Sequence, residues 1–351
     1  MHDAPKLDAE PTLAAKVEFL SHAEAYAHPT GEVARRETHM SWVFLAGDRV
    51  YKLKKPVRFP YLDFSTLARR EAACRAELRL NRRLAPDVYL GVAALTHSAR
   101  GWSIDGSGTT VDWLVVMRRL DERTMLDHAI AERHVETWQL DQLTMTLARF
   151  YRRAAPVYLS SAIHLAEWRQ GLAYNRRVLL DSRLGIPSGL VQRVDRVQRR
   201  FLDHHAELLA ARVRSRRIID AHGDLRPEHI SLGDPVRIID CLEFNARLRA
   251  VDPYDEIAFL CLECERLGAV WVGNYIKRRM TRLLSDGPTE ALYTFYRCHR
   301  AMLRARLAIA HLLEPNPRTP EKWPRQARAF LAIAARDAAR LERLLRARGD
   351  R

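Results

Sequence analysis

The period of the apolar residues changes once along this chain, and that change constrains its fold most strongly. Between residues 38 and 117, short runs of apolar, β-branched and aromatic residues alternate with turn residues, which is typical of strands. After Asp121, arginine-rich stretches with helical period follow, at 135–152, 163–183, 189–213, 254–267, 287–313 and 322–348. We therefore predict an α+β fold of two lobes, a small antiparallel sheet with one helix at 1–117 and a large, mostly helical lobe at 118–351.

Four segments define the smaller lobe. Residues 38–54 form two apolar runs around a Gly-Asp pair, a pattern that predicts a hairpin. Residues 67–85 have helical period and stop before a proline, which restricts the residue that precedes it. Two further runs, 88–95 and 111–117, predict strands joined by a turn rich in Gly and Ser at 101–109. The first 36 residues are interpreted as a helical lead-in.

Composition narrows the class of protein. The chain has 351 residues with 15 Gly and 16 Pro, values typical of a globular protein. No window reaches the roughly 18 apolar residues of a membrane helix, and the start does not resemble a signal peptide, so we expect no membrane contact and a cytoplasmic location. The five cysteines are scattered, which argues against a disulfide framework. The C-x-x-C pair at Cys261 and Cys264 is interpreted as two buried apolar side chains.

The net charge of +15 comes mainly from 51 arginines dispersed over the predicted helices, against only seven lysines. A dispersed charge favours solvated helix faces, so nucleic acid is an unlikely partner, although acidic ligands are more easily accommodated. Three of the seven lysines lie within residues 51–55. This cluster indicates chemistry that arginine cannot perform.

One short segment interrupts the helical half. In residues 218–244, two apolar runs flank the polar stretch 222–229, and Asp224 and Asp240 follow the runs. A hairpin can bring these two aspartates to the same end. Magnesium-dependent phosphoryl transfer needs one carboxylate that orients and deprotonates a hydroxyl group and another that holds the metal ion on the phosphates. The spacing alone is suggestive only.

Several motifs together resemble one family. His222-Gly-Asp224-Leu-x-x-x-x-Ile230 followed by Ile238-Ile-Asp240 is similar to the catalytic loop and metal-binding strand of the aminoglycoside phosphotransferase and choline kinase family. Val50-Tyr-Lys52 upstream and Asp252-Pro-Tyr-Asp255 downstream occur in the family's order, so the resemblance covers about residues 38–265. It implies a two-lobed protein kinase-like fold, ATP and Mg²⁺ as cofactors, and a small-molecule hydroxyl acceptor.

The chain resembles a little-characterised bacterial branch of that family more closely. The motifs of this branch are Thr38-His-x-Ser41, Tyr51-Lys-x-Lys-Lys-Pro56, Leu62-Asp-Phe-Ser-Thr66, Glu77-x-x-Leu-Asn81 and Glu243-Phe-Asn245. Members are often fused to a carboxy-terminal P-loop ATP-binding domain. Because this chain has no G-x-x-x-x-G-K-[ST] motif, we expect a kinase-like domain that stands alone.

The resemblance assigns catalytic and metal-binding roles to particular residues. It implies that Lys52 contacts the nucleotide phosphates, that Asp224 is the catalytic base and that Asp240 is the principal magnesium ligand. Arg226 replaces the lysine that meets the transferring phosphate in protein kinases. A surface position for Lys52, and turn or cap roles for the two aspartates, remain the alternatives.

A helix glutamate holds the lysine in such kinases. Glu77 lies within the apolar stripe of the predicted helix and Glu71 lies at its margin. An inward-facing carboxylate needs a cation, so we predict a pair between Glu77 and Lys52, with Arg70 as the competing partner.

The nucleotide would be contacted by two further groups of residues. Thr38 and Ser41 can offer hydroxyl and backbone donors to phosphate, with plain strand polarity as the alternative. Residues 115–120 would follow the adenine edge, with Met117 packing on the base and Leu120 in the same segment. We also expect His222 to be structural and Asp255 to cap a helix and brace the catalytic loop.

One residue departs from the family pattern. His229 stands where the family has asparagine as its second metal ligand. Because imidazole is a poorer ligand for magnesium than an amide oxygen, this site can be weak, lost or tuned to Mn²⁺. Glu228 could supply an oxygen nearby. We therefore favour catalysis, with a nucleotide-binding pseudokinase and a basic nucleic-acid binder as alternatives.

The acceptor and the oligomeric state stay open. Arginines of the helical lobe, such as Arg169, Arg176 and Arg177, favour an acidic or phosphorylated acceptor over a polycationic one.

Overall fold

The computed structural model describes residues 11–314, 317 and 319–349, and it divides into two compact units. The sheet unit comprises the described residues up to Glu122 together with Arg237–Ala246. The helical unit comprises Arg123–Val236 and the described residues from Arg247 onward. The α+β fold class, with an antiparallel sheet in one unit and a helical second unit, is confirmed. The division into functional lobes after residue 117 stays a prediction.

All strands of the described residues that are longer than two residues lie in the sheet unit. In chain order they are β1 (Ala34–Glu37), β2 (Ser41–Ala46), β3 (Arg49–Lys54), β4 (Arg58–Phe59), β5 (Leu62–Asp63), β6 (Tyr89–Ser98), β7 (Gly101–Ile104), β8 (Thr109–Arg118), β9 (Ile219–Asp220), β10 (Ile230–Ser231), β11 (Arg237–Ile238) and β12 (Ala250–Val251).

Two of the α-helices of the described residues belong to the sheet unit and the others to the helical unit. In chain order they are α1 (Leu13–Leu20), α2 (Leu67–Asn81), α3 (Leu126–Ala131), α4 (Thr137–Arg153), α5 (Ser161–Leu179), α6 (Ser188–His204), α7 (Ala206–Arg214), α8 (Pro253–Arg266), α9 (Val270–Leu284), α10 (Glu290–Ala310) and α11 (Lys322–Gly349). Within the described part of the chain, none of them is long and apolar enough to cross a membrane.

Six antiparallel strands form the main sheet, in the order β1-β2-β3-β8-β6-β7. The predicted hairpin is the β2–β3 pair, in which Ser41 lies opposite Lys54. Gly47 in its turn has φ +61°, and a Cβ there would lie 2.7 Å from the carbonyl oxygen of Pro29, so the turn requires glycine. Residues 101–109, which we predicted as a turn, include strand β7; that prediction was wrong.

The two faces of β3 point into different surroundings because side chains alternate along a strand. Tyr51 and Leu53 are buried in a core cluster that also contains Leu20 of α1. Lys52 and Lys54 therefore point to the opposite face. Helix α2 also packs on the sheet. Its Cys74 lies in a core cluster with Val115 of β8. The sheet thus carries both lysines on one face.

The helical unit differs from the prediction in three places. Residues 189–213 form two helices, α6 and α7, which are separated at His205. Helices α3 and α9 were not predicted. The short strand β9 pairs with β12. The first apolar run of residues 218–244 therefore does not pair with the second run, although the expected hairpin requires that pairing. All five cysteines are buried, and these include Cys261 and Cys264, the pair that we interpreted as buried apolar side chains.

One histidine of the helical unit should make stability depend on pH. The ring of His299 lies 4.7 Å from the ring of Trp168, between centroids, and its Nδ1 has no hydrogen-bond partner among the described residues. Burial, with the nearby Arg300 and Arg306, lowers the pKa of His299 to about 3. The unfolded chain binds this proton near the ordinary pKa of about 6.5. The stability that His299 contributes by staying neutral is therefore fully present above about pH 6.5. It is lost as the pH falls from there towards the pKa of the folded state.

We expect the free energy of unfolding to fall by at most about 1.4 kcal/mol per pH unit, because the unfolded chain binds one more proton than the folded chain. His299→Phe should flatten the dependence, whereas His204→Gln, at an exposed position, should leave it unchanged. Urea denaturation at neutral and at mildly acidic pH measures the difference. The same slope in the His299 variant and in the wild type would refute the assignment.

Candidate active site

Lys52 lies between two carboxylates in the sheet unit. Its Nζ is 2.8 Å from Glu77 Oε1 and 2.8 Å from Asp240 Oδ1. The Glu77 side chain is fully buried, whereas that of Asp240 is 46% exposed. The ammonium group therefore joins a buried carboxylate to one that ligands can reach.

Helix α2 presents Glu77 inward because its buried positions recur at three and four residues. Arg70, Ala73, Cys74 and Glu77 follow this spacing. Arg70, considered above as a competing partner, binds Asp112 instead, with 2.7 Å between its Nε and Oδ1. Glu71 pairs with Arg75 on the exposed side. Of the two candidate glutamates, Glu77 is thus the one that contacts Lys52.

A second lysine, which sequence reasoning missed, completes the cluster. The Nζ of Lys54 is 2.6 Å from Glu77 Oε2 and 2.5 Å from Glu243 Oε1. Its side chain is only 1% exposed. The ammonium also lies 4.9 Å from the centroid of the Phe64 ring. Lys54 therefore neutralises two buried carboxylates, which would each be costly to bury without a cation.

The charge states within this cluster follow from its contacts. Burial opposes the charge of Lys52, but Asp240 and Glu77 raise its pKa well above the ordinary value. Burial also raises the pKa of Glu77, yet Lys52 and Lys54 outweigh it and lower that pKa overall. For Glu243, burial prevails and its pKa is raised. We therefore expect Glu77 to stay ionised and Lys52 to stay protonated at neutral pH.

The segment that carries Asp240 is anchored to the sheet unit by hydrogen bonds. The backbone N–H of Asp240 donates to the Tyr89 hydroxyl at 3.1 Å, and that of Cys241 donates to Asn81 Oδ1 at 2.8 Å. Arg237 binds Asp87, with 2.7 Å between Nη2 and Oδ2. Asp240 itself has φ +63°, a left-handed conformation that aspartate tolerates better than most residues. These contacts hold the backbone of Asp240 in that conformation.

The catalytic-loop motif lies in the helical unit and is held by a residue that sequence reasoning missed. The fully buried Glu256 accepts hydrogen bonds from the backbone N–H of Gly223 at 2.6 Å and of His222 at 3.1 Å. The Tyr151 hydroxyl donates to the same carboxylate at 2.8 Å. Burial raises the pKa of Glu256. Glu256 thereby fixes the start of the loop.

The prediction for Asp255 was wrong in its details. Asp252, not Asp255, caps α8, and its side chain accepts a hydrogen bond from the backbone N–H of Tyr254. Asp255 accepts two hydrogen bonds from the buried Arg300, at 2.8 and 2.6 Å. Asp255 therefore links two helices, and Glu256 performs the bracing that we had expected of its neighbour.

Arg226 links the polar side chains of the loop. Its Nε is 3.0 Å from Asp224 Oδ2, its Nη1 is 2.6 Å from Glu228 Oε1, and its Nη2 is 3.0 Å from His229 Nε2. His229 Nδ1 lies 2.9 Å from the carbonyl oxygen of Asp224. A carbonyl only accepts, so Nδ1 carries the proton and Nε2 accepts from Arg226. The Asp224 side chain is 25% exposed.

The backbone N–H of Asp224 also has a partner within the loop. It donates to Nδ1 of the buried His222 at 3.3 Å. This contact supports the loop backbone, and the structural role of His222 stays a prediction.

The amino-acid sequence is similar to those of several uncharacterised proteins. No protein family matches the chain. Uncharacterised proteins of Mycobacterium tuberculosis and Mycobacterium bovis are 32% identical over 301 residues, which cover 83% of this chain and 58% of theirs. The chain thus spans little more than half the length of these curated relatives.

Solved structures of small-molecule kinases are similar to the chain at low sequence identity. Aminoglycoside 2'-phosphotransferase-IIIa, solved as a GDP complex, has a TM-score of 0.54 and 14% identity, over 94% of this chain and 99% of its own. A thermostable mutant of aminoglycoside phosphotransferase APH(4)-Ia has a TM-score of 0.52 and 11% identity, over 88% and 96%. A choline/ethanolamine kinase family protein of Mesorhizobium loti has a TM-score of 0.50 and 17% identity, over 94% and 95%. The chain has the protein kinase-like fold.

Two groups of expected nucleotide contacts lie in the sheet unit of this kinase-like fold. Thr38 and Ser41 close the turn between β1 and β2, where the Thr38 N–H donates to the Ser41 carbonyl at 2.8 Å and the Ser41 N–H donates to Thr38 Oγ1 at 2.9 Å. These two N–H groups could reach a phosphate only if the turn rearranged. Met117 and Leu120 are partly buried against the cluster around Val115. Their roles stay predictions.

The side chains predicted to bind metal differ in how well they suit magnesium. Asp240 offers carboxylate oxygens at a half-exposed position, which fits a hard cation. Glu228 Oε2 is buried without a hydrogen-bond partner among the described residues, so it too could accept a cation. His229 fits poorly, because its Nε2 lone pair faces Arg226. Arg226 would have to move before His229 could bind a metal.

Proposed function

We propose that the chain is an ATP- and Mg²⁺-dependent phosphotransferase that transfers the γ-phosphate to a hydroxyl group of a small molecule. The observation that carries this proposal is Lys52, which is bound by a buried glutamate and by a partly exposed aspartate in the sheet unit of a kinase-like fold. An ammonium in this position suits the oxygens of a nucleotide phosphate, since it is a compact charge with three donors.

The proposed mechanism is mainly positioning and charge neutralisation. Lys52, oriented by Glu77, would bind phosphate oxygens, and Asp240 would hold the magnesium ion. When bound, that ion supplies neutralisation of charge on the phosphates. Asp224 would accept the proton of the acceptor hydroxyl, and Arg226 would turn from Asp224 to the transferring phosphate. The convergence of Asp224 with Lys52 and Asp240 on one triphosphate is part of this proposal.

The acceptor that we favour is acidic or phosphorylated. Arg176 and Arg177 lie on α5, where the Nε of Arg176 is 3.3 Å from Asp195 Oδ2 and Arg177 stacks over the Tyr174 ring at 4.9 Å. The net charge of +15 disfavours a polycationic acceptor, although solved neighbours include a complex with hygromycin B. We also assign the chain to the bacterial branch whose motifs it resembles, with its nucleotide-binding lobe ending near residue 117.

A nucleotide-binding pseudokinase is the second candidate, and the contacts of Arg226 favour it. Its guanidinium binds both the carboxylate of the proposed base and His229. If that arrangement persisted with nucleotide bound, Asp224 would be unavailable to a hydroxyl. The chain would then bind nucleotide without turnover.

Two measurements on the purified chain separate these candidates. A kinase forms ADP from Mg·ATP and is thermally stabilised by it, whereas a pseudokinase shows stabilisation without turnover. A basic nucleic-acid binder would show neither effect, and its affinity would fall linearly with the logarithm of the salt concentration. Screening a metabolite library by ATP consumption then identifies the acceptor. Absence of both nucleotide effects would overturn the proposal.

We predict that His229→Asn preserves or raises the magnesium-dependent activity. Asparagine keeps a polar side chain and offers an amide oxygen, which magnesium prefers to imidazole. Turnover with magnesium and with manganese should be compared in both proteins, with circular dichroism to confirm folding. Loss of activity in a folded variant would show that His229 has a specific function of its own.

A further inference from the structure

A cavity of about 430 Å³ lies among four helices of the helical unit. Its lining comes from α8, α9, α10 and α11, and it includes none of residues 222–229. The volume is in the range of sites that bind small metabolites. The cavity therefore shares no lining residue with the proposed catalytic loop.

Positive charge exceeds negative charge around this cavity. Three carboxylates line it, and each already contacts two cations: Glu265 and Asp337 both bind Arg297 and Arg336, and Glu290 binds Lys277 and Arg340. Arg343 also lines it, so that the lining carries five cations and three carboxylates. A ligand with two negative charges would balance the excess.

The cations lie at two depths. The Arg297 side chain is 14% exposed, whereas those of Arg336 and Arg340 are each 56% exposed. The forked donors of an arginine match the oxygens of a phosphate group. A phosphate that enters between the outer arginines would therefore also approach a partly desolvated guanidinium.

Besides these charged groups, the lining includes neutral polar groups. Helices α8 and α9 touch at Gly273, where an added Cβ would lie 3.1 Å from the α-carbon of Cys261. The Cys261 thiol donates to the Gly273 carbonyl at 3.1 Å. Asn274 and Thr294 also line the cavity and can bond to the remainder of a ligand.

We propose that this cavity binds a small phosphate monoester as its dianion. Such a ligand would contact α9, α10 and α11 at once and would stabilise the helical unit. The proposal does not depend on the kinase activity, because it concerns residues outside the proposed active site.

Isothermal titration calorimetry with glycerol 3-phosphate, at constant ionic strength, tests the proposal. We expect saturable binding by the wild type and a loss of about tenfold in affinity for Arg340→Gln/Arg343→Gln, which corresponds to roughly 1.4 kcal/mol. Both arginines are exposed, so the variant should fold, and its thermal melt checks this. Asn274→Trp, at another exposed lining position, should weaken binding by obstruction without changing charge.

Arg328→Gln/Arg346→Gln is the matched control, because it also removes two exposed arginines of the same helix and neither of them lines the cavity. It should bind like the wild type. Inorganic sulfate should compete, whereas acetate should not. No saturable binding, an equal loss in the control variant, or equal competition by acetate would each overturn the proposal.

Discussion

Replacing Lys54 by methionine is expected to destabilise the protein strongly. Its ammonium is the group that neutralises Glu243 and one oxygen of Glu77, and all three side chains are buried. Removal of one partner from a buried ion pair typically costs about 3–5 kcal/mol, since it leaves an uncompensated charge. We therefore expect a loss of that size in the free energy of unfolding, measured by urea denaturation at neutral pH.

Lys55→Met is the matched control for this variant. Lys55 is the next residue and pairs with Glu37, but both of those side chains are more exposed than Lys54 and Glu77, so the loss should be smaller than in the Lys54 variant. Adding Glu243→Gln to the Lys54 variant should recover part of the stability, because it removes the carboxylate left without its cation. A Lys54 variant no less stable than the Lys55 variant would contradict the cluster.

Replacing Asp224 by alanine is expected to abolish turnover while ATP still binds. A positioned general base contributes roughly 10²–10⁴-fold to a rate, and the proposal gives Asp224 that function and no contact with the adenine or ribose. The rate of ADP formation should fall by about 10³-fold. The dissociation constant for Mg·ATP should change little.

Asp203→Ala serves as the control, because Asp203 is an exposed aspartate of α6 in the same unit. It should retain full turnover. A pseudokinase would show no turnover to lose in any of these proteins. If the Asp224 variant lost nucleotide affinity as much as turnover, the assignment of Asp224 as the base would be wrong.

Local patterns were sufficient for strands β2, β3, β6 and β8 of the main sheet and for the inward face of α2. The hairpin that carries Lys52 follows from two apolar runs around a Gly-Asp turn, and the 3–4 spacing of buried residues identifies Glu77. Lys54 was missed although a signal existed, since residues 52 and 54 share one face of a strand. Strand β1 was missed because its sequence Ala-Arg-Arg-Glu is polar and largely exposed at the sheet edge.

Long-range contacts could not be predicted from local patterns. Nothing in the sequence of residues 237–246 indicates that they pack with the sheet unit. Their partners Asn81, Asp87 and Tyr89 lie 150 to 160 positions away along the chain. Asp255 and Glu256 are adjacent at the start of α8. Which of them faces the loop depends on Arg300, which binds Asp255 from a different helix.

A crystal structure with Mg²⁺ and the ATP analogue AMP-PNP tests the central claim most directly. The account predicts phosphate oxygens within hydrogen-bond distance of Lys52 Nζ and a magnesium ion on the Asp240 carboxylate. It also predicts that Asp224 faces the γ-phosphate and that Arg226 has turned away from Asp224 towards that phosphate. A nucleotide bound elsewhere, or a γ-phosphate out of reach of Asp224, would contradict it.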